Sequence, residues 1–194
     1  MKNNIKRYSM GQASATADRG TSDIIDFLYR LNSTTDVRNV EKDPVFQTED
    51  IDLVWTRRKD NSEKDYKIEI KVDNYYKTGN YFFETLSNVE KGTPGCFLYS
   101  KADWLFYYFL SAELHVIELK VAQYWFLRRM KEFKKRQTST PVGNGLYHTE
   151  GALVSRTVFA EEMSSSELMI FPFADGKINT RRLTPSPFPA CSTC

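Results

Sequence analysis

YKIEIKVD, residues Tyr66–Asp73, sets the reading of this chain. Glu69, Lys71 and Asp73 alternate with Ile68, Ile70 and Val72. Alternation at period two is the mark of a strand, because successive side chains leave a pleated backbone on opposite sides. An acid, a base and an acid therefore share one face. Either water bathes that face, or the charges converge on something. Upstream, DIDLVW at Asp50–Trp55 reads as a second strand, and the polar stretch TRRKDNSEKD as the turn joining the two. The pair forms an antiparallel hairpin in this reading.

Asp52 opens the apolar part of the first strand, so the hairpin brings it near Glu69. Two carboxylates and the backbone carbonyl of Ile70 make an all-oxygen site. Such donors suit Mg²⁺ or Mn²⁺, which keep waters for a substrate phosphate. Lys71, two residues from Glu69, can orient or deprotonate a water, or stabilise charge growing on a phosphate. Metal, activated water and cation are the parts of phosphodiester hydrolysis. The bland alternative is a half-exposed hairpin with solvated charges. It fits a strand placed between apolar elements poorly, because buried charges without partners are costly.

The rest of the chain reads as a mixed α/β sheet. TSDIIDFLYRL is a helix, with Thr21 or Ser22 as its cap and Ile24, Phe27, Leu28 and Leu31 on its apolar face. VRNVEKDPVF holds a short strand ending at Pro44. Beyond Thr78-Gly79-Asn80, Phe82, Phe83 and Leu86 mark a strand or a helix. CFLYS reads as a buried strand, KADWLFYYFL as a helix, LHVIEL as a strand and KVAQYWFLRRMKEFKKR as a long helix. Residues 137–151 read as a loop, and ELMIFPFADGKINTRRL as a hairpin turning at Asp175-Gly176. The expected organisation is a flexible arm at 1–20, a core domain at 21–136 and a C-terminal extension at 137–194.

EDIDLVW followed by YKIEIKVD resembles the paired motifs of the PD-(D/E)XK nuclease superfamily, the restriction-endonuclease-like fold. Asp52 matches the leading Asp; Glu69 and Lys71 match the Glu-x-Lys. EIKVDNYYKTGNYFFE, with GCFLYSKADWLFYYF after it, is similar to a phage and bacterial branch. The resemblance implies an αββαβ core, Mg²⁺ or Mn²⁺ as cofactor, DNA as partner, a possible homodimer, and a bacterial or phage-infected host cell. Its catalytic residues would be Asp52, Glu69 and Lys71, with metal ligands from Asp52, Glu69 and Ile70. Three departures stand out. No Pro precedes Asp52, the first helix offers Asp23 and Asp26 where a Glu is usual, and the Gln often found past the Lys is missing. Which of Asp23, Asp26, Asp73 or Glu84 joins the site stays open at this level, as does DNA against RNA and duplex against junction or single strand. A non-catalytic nucleic-acid-binding or assembly protein on the same fold is the competing reading.

Composition frames these expectations. The 194 residues carry 27 Lys and Arg against 25 Asp and Glu, a net charge of +2. Attraction to a polyanion must then come from a local patch. RRMKEFKKR is the densest: Arg128, Arg129, Lys131, Lys134, Lys135 and Arg136 are read as a nucleic-acid-binding helix end, against simple complementation of the helix dipole. Three cysteines give no disulfide framework, and Cys191 and Cys194 form one isolated Cys-x-x-Cys, a weak zinc signal. The longest apolar run, Trp104–Leu110, is too short for a membrane span. With no apolar signal core near the N-terminus, a cytoplasmic location is expected. Tyr75, Tyr76 and Tyr81 are candidates for stacking on bases.

Overall fold

A computed structural model describes residues 10–142 and 145–181. Two sheets form. The larger has seven strands in the order β1-β2-β3-β6-β7-β10-β11: β1 Thr34–Asn39, β2 Leu53–Lys59, β3 Ser62–Asp73, β6 Trp104–Phe109, β7 Glu113–Glu118, β10 Leu168–Ala174 and β11 Lys177–Ile178. The smaller has the order β5-β4-β9-β8: β4 Asn80–Asn88, β5 Thr93–Pro94, β8 Lys134–Val142 and β9 Gly145–Ser155. β3 and β6 pair in parallel, with Glu69 opposite Leu105 and Lys71 opposite Tyr107. The fold is thus mixed α/β with a mixed sheet, as the alternation implies.

The expected hairpin is present but longer. β2 and β3 pair antiparallel from Leu53↔Ile68 to Lys59↔Ser62, around Asp60 in the left-handed region at φ 55°. Charged residues read as a turn are strand, because a tight turn at Asp60-Asn61 lets the ladder run to its end.

The period-two alternation sorts the two sides of the large sheet. Leu53, Trp55, Ile68, Phe106, Tyr108 and Val116 pack with Ile24, Phe27 and Leu28 of helix α1, Met10–Tyr29. On the other side Val54, Leu105, Tyr107, Phe109 and Ile117 pack with Tyr81 and Phe83 of β4 and Ala152 and Val154 of β9. Helices α3 (Cys96–Tyr99), α4 (Leu119–Arg129) and α5 (Arg156–Glu162) contribute Phe97, Phe126 and Phe159 to the same core.

Several expectations are corrected. α1 begins at Met10, so residues 10–20 are helical where a flexible arm was expected, and Ser22 lies inside the helix rather than at its cap. Gly20 explains the close seat of this helix: a Cβ there would lie 2.3 Å from Val72 Cγ2. Gly20→Ala gains about 1 kcal/mol of helix propensity but meets a β-branched side chain with little freedom to move, a cost of about 1–3 kcal/mol. A net loss in a denaturant midpoint is expected; a gain would show that α1 does not dock here.

KADWLFYYFL is not a helix. Its core is strand β6, buried on both sides between β3 and β7, which erases the alternation that marks a half-exposed strand. CFLYS is a single helical turn, α3, not a strand. The long helix stops at Arg129, and Lys134–Arg136 open strand β8. Residues 137–151, expected as loop, pair as β8 and β9. Consequently β3 crosses to β6 through β4, β5 and the one-turn α3, where an αββαβ core would place a longer helix. The hairpin at Asp175-Gly176 is present, with φ 53° and 75°. β10 joins the large sheet beside β7, and β8 and β9 build the small one, so residues 137–181 belong to the core rather than lying on it. α2, Pro44–Gln47, starts at the proline expected to end a strand, capped by Asp43 accepting from Val45 N at 2.9 Å.

Candidate metal centre

Glu69, Lys71 and Asp73 lie on the side of the large sheet that faces the small sheet; Glu69 is buried there, while Lys71 and Asp73 are half-buried. Asp52 lies one residue before β2, its amide donating to Ile68 O at 2.9 Å. Its Oδ2 accepts from the Ile70 amide at 2.8 Å, which fixes the carboxylate against β3. There its charge acts directly on Glu69. Glu69 is only 6% exposed, and its Oε2 is buried and receives no hydrogen bond among the described residues.

Asp50 joins them from the loop after α2. Its backbone sits in the left-handed region at φ 56°, which Asp tolerates. Ser100 Oγ donates to its carbonyl at 2.8 Å, and Tyr99 OH to its Oδ1 at 3.2 Å. Its Oδ2 is buried and receives no hydrogen bond among the described residues. Cys96, at the start of α3, completes a cluster: one oxygen each from Asp50 and Glu69 and the Cys96 sulfur lie within 4.8 Å of one another. This Asp-Glu-Cys group could hold a metal ion, and its orphaned buried oxygens are the acceptors a cation would satisfy.

Lys71 stands beside the group, its Nζ 3.8 Å from Glu84 Oε2 on β4. Glu69, Lys71, Glu84, Cys96 and Tyr107 line one small cavity between the sheets. Asp73 is engaged elsewhere, accepting from Tyr107 OH and from the Tyr75 amide, each at 2.6 Å.

Electrostatics follow from crowding. Burial, then the neighbouring charges of Asp52 and Asp50, raise the Glu69 carboxyl well above its ordinary range. Burial pushes Asp52 up to about 6 against the opposing Ile70 hydrogen bond, and raises Asp50 as well. Burial likewise holds the Cys96 thiol well above its usual value. For Lys71, burial alone would disfavour the charge, but Cys96, Glu84, Glu69 and Asp73 outweigh it, so the ammonium is held more firmly than usual. Three carboxylates, Asp50, Glu69 and Glu84, face one ammonium, while Asp52 adds its charge to Glu69 and Asp50. Like charges so placed favour a proton or a cation between them.

Among the sequence-derived site residues, Glu69 belongs to the Asp-Glu-Cys group and Lys71 lines the same cavity, whereas Asp52 is not one of the three members of that group and Ile70 gives its amide to Asp52 rather than the expected carbonyl to an ion. Asp23 does not join them: it accepts from Tyr108 OH at 3.0 Å on the α1 side of the sheet. Asp26 is exposed. Asp50 is absent from the sequence-derived site, and Cys96 enters the sequence reading only as a weak zinc partner of Cys191 and Cys194. Asp50 had a signal, standing two residues before Asp52 in an extended stretch. Cys96 had none, because only the packing of α3 on β4 brings it in.

The basic cluster is divided rather than continuous along a helix. Arg129 pairs with Glu132 and Glu162, and Lys135 with Glu150 at 2.7 Å. Lys131, Lys134 and Arg136 are exposed and make no ion pair among the described residues; Arg128 lies over the exposed Tyr124. Tyr81 is fully buried, so it cannot stack on a base, whereas Tyr75 is exposed. His115 is a satisfied core residue between Tyr81 OH at 2.6 Å and Glu113 at 2.9 Å, and His148 pairs with Glu90. Cys191 and Cys194 lie outside the described residues. Among the described residues, no helix is long and apolar enough to cross a membrane. A comparison of the chain with protein-family models, curated proteins and solved structures found no match in any of the three.

Proposed function

We propose that this chain is a metal-dependent nuclease that hydrolyses phosphodiester bonds in DNA, on a divergent restriction-endonuclease-like fold. The observation that carries the reading is the buried, hydrogen-bond-free Oε2 of Glu69, set among Asp50, Asp52 and one lysine. The fold assignment draws support from α1 leading into an antiparallel β1-β2-β3 unit, from an Asp just before β2 with Glu-x-Lys on β3, and from the parallel β3–β6 pair.

Glu69 and Asp50 offer oxygens to the ion, and Asp52, held by the Ile70 amide, acts on Glu69 through its charge. Mg²⁺ or Mn²⁺, when bound, supplies Lewis-acid polarisation of a phosphate and a nucleophilic water near neutral pH. Lys71 holds a fixed positive charge beside the carboxylates, suited to stabilising charge that builds on a phosphate oxygen. Lys134 and Arg136 alternate to the same side of β8, opposite Lys135, and are the better phosphate contacts.

The test is incubation with supercoiled DNA, linear DNA and RNA, each with Mn²⁺, with Mg²⁺ and with chelator. Cation-dependent nicking of DNA, lost in Asp52→Asn, is expected. Retention of DNA without cleavage under every condition would favour a non-catalytic binding protein, and cleavage of RNA alone would reassign the substrate. In binding assays, replacing Lys134 and Arg136 together by Gln should reduce the salt slope by about two units; an unchanged slope removes β8 from the interface.

A further inference from the structure

We propose that Cys96 is a ligand of the same ion, so that the site takes a thiophilic divalent metal such as Co²⁺ or Zn²⁺ in preference to Mg²⁺. The inference rests on the reading that the cluster holds a metal.

Placement comes first. α3 is one turn long, yet it is fixed at both ends. Gly95 N donates to Thr85 O at 3.0 Å, and a Cβ on Gly95 would lie 2.5 Å from the Glu84 backbone carbonyl, so glycine is what allows the turn to abut β4. At the other end Tyr99 and Ser100 hold Asp50. One short element therefore both carries the Cys96 sulfur and positions a carboxylate of the cluster. The ligand atoms lie within 4.8 Å of one another. Donors sharing one ion at roughly 2.0–2.3 Å stand at most about 4.6 Å apart, so a modest inward movement of these side chains closes the group on a cation.

Second, the cluster contains a nearly fully buried acceptor with no hydrogen bond, Glu69 Oε2, and another in Asp50 Oδ2. Third, the donor chemistry is mixed. Carboxylates accept any of these ions, but thiolate is a soft donor that Mg²⁺ avoids and Zn²⁺ or Co²⁺ binds well. On coordination the sulfur–hydrogen bond breaks, its proton passes to solvent, and the sulfur keeps the electron pair it donates to the ion.

Co²⁺ reports the difference directly. The full chain carrying Cys191→Ser and Cys194→Ser removes the other thiols, and is titrated with Co²⁺ while absorption is followed. Expected are visible ligand-field bands together with a near-ultraviolet sulfur-to-cobalt charge-transfer band, and little displacement by excess Mg²⁺. Cys96→Ser should lose the charge-transfer band. Cys96→Asp, which restores an anionic oxygen, should lose it too while Mg²⁺ now competes. Ligand-field bands without charge transfer in the Cys96 protein would overturn the inference and leave the metal reading standing. No response to Co²⁺ or Mn²⁺ by absorption or calorimetry would overturn both.

Discussion

Glu69→Gln is expected to raise the melting temperature of the ion-free protein and to abolish the rise that Mn²⁺ produces in the native sequence. The carboxylate is 6% exposed, one oxygen has no hydrogen bond, and two further acids raise its proton affinity. A group whose folded-state pKa lies above its unfolded value gives a contribution fully present below the unfolded pKa. That contribution is lost as pH rises through the folded value. Native stability without ions should therefore fall as pH climbs from about 4 upward, with Asp52 adding its share up to about 6. Gln carries no charge to desolvate, and its amide can donate to the facing Asp52. Removing an unsatisfied buried charge is worth about 1–3 kcal/mol, or roughly 5 °C in a chain of this size. Protons and Mn²⁺ compete for the same oxygens, so the cation-induced rise in the native protein should be larger at pH 7.5 than at pH 5. Scanning fluorimetry across pH, with and without Mn²⁺, reads all of this. A lower melting temperature for Glu69→Gln with an intact Mn²⁺ response would show that Glu69 is a structural acid and not a ligand.

The legible part of this molecule was the part governed by local periodicity. Glu69, Lys71 and Asp73 alternate with apolar residues, so their shared face and the β2–β3 hairpin could be read without tertiary information. The hairpin then brought Asp52 to Glu69. Strand β6 was illegible for the converse reason. Burial on both sides removes alternation, and Trp104–Phe109 looks equally like a helix core. Cys96 enters only because Gly95 lets α3 press against β4, a long-range contact with no local pattern. β8 hid behind Ser, Thr and Pro residues that read as loop but lie on the exposed edge of the small sheet, where pairing with β9 alone suffices. The charged face also has its answer: the small sheet, through Glu84 on β4, and the turn α3 cover much of it and bury Glu69.

Lys71→Ala is expected to lower cleavage by about 10²–10³-fold while Mn²⁺ binds as tightly as before, or tighter. Lys71 has no lone pair for a metal while protonated, and its surroundings hold that proton firmly. Its removal takes away a positive charge beside the cation, which can only favour the cation. What it also removes is fixed positive charge where a phosphate would gain negative charge during hydrolysis. The competing account is structural: Lys71 neutralises Glu84, 3.8 Å away, and its loss merely loosens the site. Glu84→Gln separates the two. If Lys71 works only through that ion pair, Glu84→Gln should reproduce the loss of cleavage. If Lys71 acts on the phosphate, Glu84→Gln should leave the maximal rate within a few-fold of native while Lys71→Ala does not. Lys71→Arg adds a further constraint, since a planar guanidinium keeps the charge but not the compact geometry of an ammonium; partial activity is expected. Equal losses in Lys71→Ala and Glu84→Gln, matched by equal falls in melting temperature, would assign Lys71 to the scaffold and leave the chemistry to the carboxylates alone.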